Sequence, residues 1–202
     1  LERGPELDER VKAVEHFEKT GELNLNANIQ FGEGGAGTFS DGKLTTRVGD
    51  PLCAFVTDAF LQHGAPADIA WRQKPHVGTD LLRGIIRSIR QEIIALGGEV
   101  RFNTALTGLK IENGALASVE TTAGDFACEQ LILAVGHSAR DTFAMLHRQG
   151  MPLECKPFSV GFRAEHLQTE IDKSLYHAAA GHPVLPVGEY QLSQHVSGGR
   201  CV

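Results

Sequence analysis

Between Phe31 and Thr46 the chain reads FGEGGAGTFSDGKLTT, a stretch dense in the residue types that hold phosphate. Gly32, Gly34 and Gly37 spell G-x-G-x-x-G, and Gly37, Gly42 and Lys43 spell most of G-x-x-x-x-G-K-[ST]. The second pattern needs a hydroxyl after the lysine to meet Mg2+, but Leu44 stands there and Thr45 comes one residue late. It also needs a buried strand before the glycines, and only Ile29 and Phe31 precede them; a P-loop NTPase is therefore the weaker reading. The first pattern needs a helix opening at its third glycine, yet Thr38 to Gly42 is poor helix sequence. The acid expected about 20 residues on, Asp58, falls inside the helical-looking FVTDAFLQ. What remains is a loop in which Gly34, Gly35, Gly37 and Gly42 expose backbone N–H groups, Thr38 and Ser40 supply hydroxyls and Lys43 supplies a cation. Successive N–H groups in such a turn form an anion-binding concavity. The alternative is a solvated loop that uses glycine only for its sharp turns.

Other reactive side chains are scattered. His137 follows Gly136 at a strand-to-helix turn, where a cap or loop role competes with proton donation; His76 is open to the same two readings. Arg163 and His166 could meet a substrate or lie on an exposed strand face. Cys53, Cys128, Cys155 and Cys201 form no C-x-x-C pair, so neither a metal site nor a dithiol centre is expected, and a reducing, cytoplasmic compartment is. The net charge of -6, without a block of Lys and Arg, gives no nucleic-acid footprint. No apolar run approaches the ~20 residues that cross a bilayer, so no membrane partner is expected.

The elements that must position these residues follow from periodicity. Leu1 to Pro5 reads as a strand end running into a loop, and Leu7, Val11, Val14 and Phe17 mark a helix over 6–18. Residues 20–50 show no period and are loop. His76 to Gly98 is helix, with Thr79 or Asp80 at its start, a stripe of Leu82, Ile86, Ile89, Ile93 and Leu96, and Gly97 at its end. Glu99 to Asn103 reads as a strand. Residues 106–128 form a three-stranded antiparallel meander divided by Glu112-Asn113-Gly114 and Ala123-Gly124-Asp125. LILAVG, residues 131–136, is apolar throughout, as in a parallel strand buried on both faces, and 138–148 is helical. From Met151 onward, FSVGFRAEH and EYQLSQHV alternate as antiparallel strands do.

In this order, LERG, QFGEGGAGTFSDGKLTTR, KPHVGTDLL, AVGHSARDTF and KPFSVGFRAEH resemble the NAD(P)/FAD-dependent oxidoreductases of the glutathione-reductase type fold, specifically the uncharacterised FAD-dependent dehydrogenases. The resemblance implies an α/β fold: over 1–151 an incomplete three-layer, Rossmann-like FAD-binding domain with its β-meander, and over 152–202 the start of a mixed or antiparallel substrate domain. It further implies that a strand, G-x-G-x-x-G and helix of about thirty residues precede Leu1, that a C-terminal part follows, and that the chain alone retains little FAD.

By the same resemblance Glu2, with Arg3 beside it, matches the acid that binds the adenosine ribose, and the backbone of Leu106 matches an adenine contact. Gly34, Gly35, Gly37, Thr38, Ser40, Gly42 and Lys43 become a second cofactor loop along the FAD diphosphate, with Lys43 toward the flavin ring or simply solvated. Gly136 and His137 match the second glycine motif at the cofactor. The activity implied is FAD-dependent oxidation or reduction of a small-molecule substrate, with NAD(P)H a possible electron donor. A non-catalytic nucleotide-binding remnant is the alternative. Catalytic residues are not legible.

Overall fold

A computed structural model describes every residue except 41, 45, 47, 73–75, 157–160, 194, 197–199 and 202. The chain divides into two compact units, Leu1–Pro152 and Leu153–Val202.

The first unit opens with helix α1, Leu7–Thr20, which carries Asp8 and Glu9 in its first turn and Lys19 in its last, as the helix dipole favours. Gly21, left-handed at φ 77°, stops it by donating to Phe17 O. The buried positions of α1 are Leu7, Arg10 and Val14, so the stripe turns toward an arginine while Val11 and Phe17 stay half-buried. A 3-10 turn, Ala36–Phe39, lies inside the glycine-rich loop. Helix α2, Leu52–Gln62, follows; Asp50 accepts from the Leu52 N–H at 2.8 Å and so caps its start.

Helix α3, Thr79–Ala95, begins after Gly78 and buries Leu82 and Ile85 against Ile69 and Val77, with Ile86 and Ile89 packed beside them. The expected stripe holds only over the first turns: Ile93 is 44% exposed and Leu96 is 80% exposed, because the buried cluster they would join ends at Ile89.

The meander forms as β1 Leu106–Glu112, β2 Ala115–Thr121 and β3 Gly124–Ala127, antiparallel in the order β1-β2-β3. Its first turn, Asn113-Gly114, has both residues at positive φ, the conformation that matches strand twist in a two-residue hairpin. Gly108 on β1 and Val119 on the middle strand are its buried residues. Helix α4, Arg140–Arg148, closes the unit. Just beyond it the Gln149 amide donates to Leu109 O and accepts from Leu109 N, covering the free edge of β1 as another strand would.

Two expected strands do not form. Glu99 to Asn103 runs beside the N-terminal segment through three backbone bonds, Glu2 N–H to Arg101 O, Thr104 N–H to Glu2 O and Asn103 N–H to Gly4 O. Asn103 turns left-handed at φ 52°, and this interrupts the extended run before a ladder develops. Residues 131–136 are also unpaired, with Ile132 92% exposed. Among the described residues no strand runs beside them, so their N–H and C=O groups have no ladder to join. The first unit is mixed α and β, and no parallel sheet appears among its described residues.

Among the described residues of the second unit, strand pairing is confined to β4, His195–Val196, against β5, Arg200–Cys201. Within FSVGFRAEH, residues 158–160 lie outside the described residues, and 161–166 are unpaired, with Phe162 fully exposed. Helix α5, Gln168–Tyr176, was not expected. It is held by Asp172, whose Oδ1 accepts from Gly188 N and Gln168 Nε2, while Gln168 also donates to Gly188 O.

Candidate functional site

The glycine turn takes its shape from residues beneath it. Gly34 sits at φ 82°, and a Cβ there would come within 2.3 Å of Thr38 Oγ1, so both conformation and space demand glycine. Thr38 is wholly buried and its hydroxyl has no hydrogen-bond partner among the described residues. Arg10, projecting from α1, is wholly buried as well. Its Nε donates to Asn28 O at 2.9 Å and its Nη1 to Glu33 O at 2.6 Å, while Nη2 has no hydrogen-bond partner among the described residues. The guanidinium lies 4.8 Å from the centroid of Phe39, over which Arg83 also sits at 5.0 Å. Burial pushes the pKa of Arg10 down to about 10, against the raising influence of Glu2 and Glu33, so it remains a cation at neutral pH.

Glu33 ties the turn to two helices. Its Oε2 accepts from the Leu7 N–H at 2.8 Å, and its Oε1 lies 3.1 Å from Arg90 Nε on α3. Arg90 also donates to Glu6 at 2.9 Å, and that bond is the main reason its pKa is raised. Farther along, Gly42 O accepts from the Val77 N–H at 3.1 Å, and Lys43 forms an isolated antiparallel bridge with His76. Lys43 and Ser40 are exposed; Asp41 lies outside the described residues.

The N-terminal segment faces a different feature. Glu2 is half-buried, and its Oε1 accepts from the Gly4 N–H at 2.8 Å. Gly4 passes so close to Asn26 that a Cβ would meet its carbonyl oxygen at 2.6 Å. Beside this turn an open cleft of about 580 Å³ is lined by Arg3, Asn103, Leu106, Thr107, Thr122 and residues of α4, including Asp141 and Arg148. Arg3 Nη2 and Asp141 Oδ2 lie 2.5 Å apart across it. The hydrogen bond from Arg3 is the leading cause of an Asp141 pKa below the ordinary carboxylate value.

The cleft thus brings together Arg3 and Leu106, both of which the family resemblance assigns to the cofactor. It takes in none of Glu2, Gly34, Gly35, Gly37, Thr38, Ser40, Gly42, Lys43, Gly136 or His137. Glu2 is coupled to the glycine turn electrostatically, through Arg10. Gly136, at φ 71°, and His137 are exposed, and the His137 ring lies 3.4 Å from Ser138 Oγ. Thr38 presents no surface to solvent, and its side chain lies against Gly34. Sequence reading missed Arg10, Glu33, Asp141 and Arg148. For Arg10 a signal existed: it stands three residues after Leu7 and four before Val14, on the helix face those two bury.

Against this geometry stand two likenesses to known proteins. Residues 157–202 match the family described as FAD-dependent protein, C-terminal domain-like. An uncharacterized protein of Clostridium beijerinckii is 48% identical over 192 residues, which is 95% of this chain and 36% of the relative. The chain therefore spans little more than a third of that relative's length, and its C-terminal end is similar to a domain of FAD-dependent proteins.

Proposed function

We propose that this chain is part of an FAD-dependent oxidoreductase and that the cleft between Arg3 and α4 receives the adenosine end of the cofactor. The observation that carries this reading is the likeness of residues 157–202 to an FAD-dependent family. The meeting of Arg3 and Leu106 in one cleft supports it.

The residues fit such a group in part. Leu106, with Ala105 and Met145, offers an apolar side for a base, and Asn103, Thr107 and Thr122 offer polar atoms. Glu2 is not part of the cleft lining: its Oε1 accepts from the Gly4 N–H and its charge acts on Arg10. Gly35, at φ 69° with no atom near its missing Cβ, leaves backbone open to a flat or charged group. When bound, the flavin supplies the hydride or electron chemistry. The chain's own part is to bind and orient: Arg10 and Glu33 hold the glycine turn, and the bonds between Glu2–Gly4 and Arg101–Thr104 hold the cleft wall.

Titration of FAD into the purified chain, followed by flavin fluorescence, tests the proposal. A weak but saturable change that excess ADP reverses, and that Leu106→Ala weakens severalfold, is the expected result. Absence of saturable binding, or binding indifferent to ADP, would overturn it.

A further inference from the structure

The cleft carries a charge pattern that its adenosine-binding role does not require. Its lining includes two guanidiniums, Arg3 and Arg148, against one carboxylate, Asp141, in a chain whose net charge is -6. Asp141 is already paired, Nη2 to Oδ2, with Arg3. Arg148 is exposed and, among the described residues, makes no ion pair. The two cations reach the cleft from separate places: Arg3 from the N-terminal segment, Arg148 from the last turn of α4. Asp141 comes from the first turn of that same helix.

We infer that Asp141 occupies an anion position in this cleft, and that Arg3 and Arg148 together receive a phosphate-bearing ligand once that carboxylate is displaced. The Asp141 side chain is 62% exposed, and exposed ion pairs are weak, so exchange for a stronger anion is easy. A phosphate offers three oxygens and more charge, and the planar guanidinium of Arg3 can engage two of those oxygens at once. The apolar side at Leu106 and Met145 leaves room for a base next to the anion, which makes a nucleotide phosphate the ligand class. Asp141 then sets specificity: it competes with anionic ligands for Arg3 and leaves neutral nucleosides untouched. The ligand preference at Asp141 and Arg148 is additional to the FAD reading, on which only the choice of an adenine nucleotide as probe rests.

Calorimetric titration of inorganic pyrophosphate, ADP and adenosine into the wild-type chain and three variants tests the inference. Asp141→Asn is expected to tighten pyrophosphate and ADP roughly threefold, the worth of an exposed ion pair, and to leave adenosine unchanged. Arg148→Ala is expected to weaken both anions about tenfold and to leave adenosine unchanged; Arg3→Ala is expected to weaken both anions at least as much. Circular dichroism of each variant confirms that folding is retained; should Arg3→Ala not fold, Arg148→Ala and Asp141→Asn carry the test. Failure of pyrophosphate to bind, or equal effects of Asp141→Asn on ADP and adenosine, overturns the inference. FAD binding that adenosine displaces and pyrophosphate does not would sink this inference while leaving the flavin reading in place. Pyrophosphate binding with the expected Asp141→Asn effect but no FAD uptake would do the reverse.

Discussion

Arg10 is the residue whose loss reaches furthest. Its side chain satisfies two carbonyl oxygens, Asn28 O and Glu33 O, that lie in the loop feeding the glycine turn. Truncation strands both acceptors and removes the cation from Phe39. Arg10→Ala is expected to cost about 2–4 kcal/mol, read as a lower urea midpoint at unchanged slope. Arg10→Lys recovers less than half of that loss, because a single ammonium does not reproduce the fork that spans two carbonyls. A midpoint unchanged in Arg10→Ala would contradict the role given to it.

Thr38 makes the opposite prediction. Its hydroxyl is buried without a hydrogen-bond partner among the described residues, so replacing it by an isosteric methyl removes an unmet polar group. Thr38→Val is expected to be neutral or stabilising by about 1 kcal/mol and to leave FAD affinity unchanged. A marked loss of affinity would return this hydroxyl to the list of ligand contacts.

Asp141 supplies the pH dependence. Its folded pKa lies below the ordinary 3.8, so the folded state favours the ionised form. The stability it contributes is fully present above pH 3.8 and is lost as pH falls through the lowered folded value. Acid titration of Asp141→Asn, monitored by circular dichroism, should show a flatter acid limb than wild type; an identical limb would place the acid sensitivity elsewhere.

Among the elements, the meander shows how a small sheet is kept from pairing further. The Gln149 amide bonds both backbone groups of Leu109 at the outer edge of β1. Gln149→Ala leaves that edge open. The expected outcome is a loss of about 1–2 kcal/mol together with concentration-dependent association on gel filtration. A monomer of unchanged stability would mean that the edge needs no cover.

The elements also separate what sequence could show from what it could not. Asn113-Gly114 and the alternation around it specify the hairpin locally, and the strands appear where the pattern puts them. The stripe from Leu82 to Ile89 was equally legible, since helix period and burial agree there. Ile93, Leu96 and the run Leu131–Gly136 have the same apolar character but lack neighbours among the described residues, and composition alone does not state whether a neighbour is present. Helix α5 was hidden for another reason. Its hold on the chain is the long-range bonding of Asp172 and Gln168 to Gly188, which no local period reveals.

At the scale of the whole molecule, the glycine-rich stretch was recognisable as a special turn, but its support was not. Arg10, Glu33 and Arg90 come from three different segments and meet only after α1 and α3 have packed. The cleft at Arg3 and Leu106 likewise joins residues more than a hundred positions apart in the chain. Legible from sequence were the candidate ligand contacts; hidden were the charged residues that hold or oppose them. The polar support of the turn belongs to the first unit, whereas the family likeness belongs to the second, at residues 157–202.

Hydrogen–deuterium exchange of the purified chain with and without FAD tests the cofactor assignment most directly, because it reports on both regions at once. Slower exchange on FAD addition is expected in peptides covering Glu2–Gly4, Arg101–Thr107 and the glycine turn at Gly32–Phe39. Saturating FAD that leaves all three unchanged, or protects only residues outside them, would contradict it.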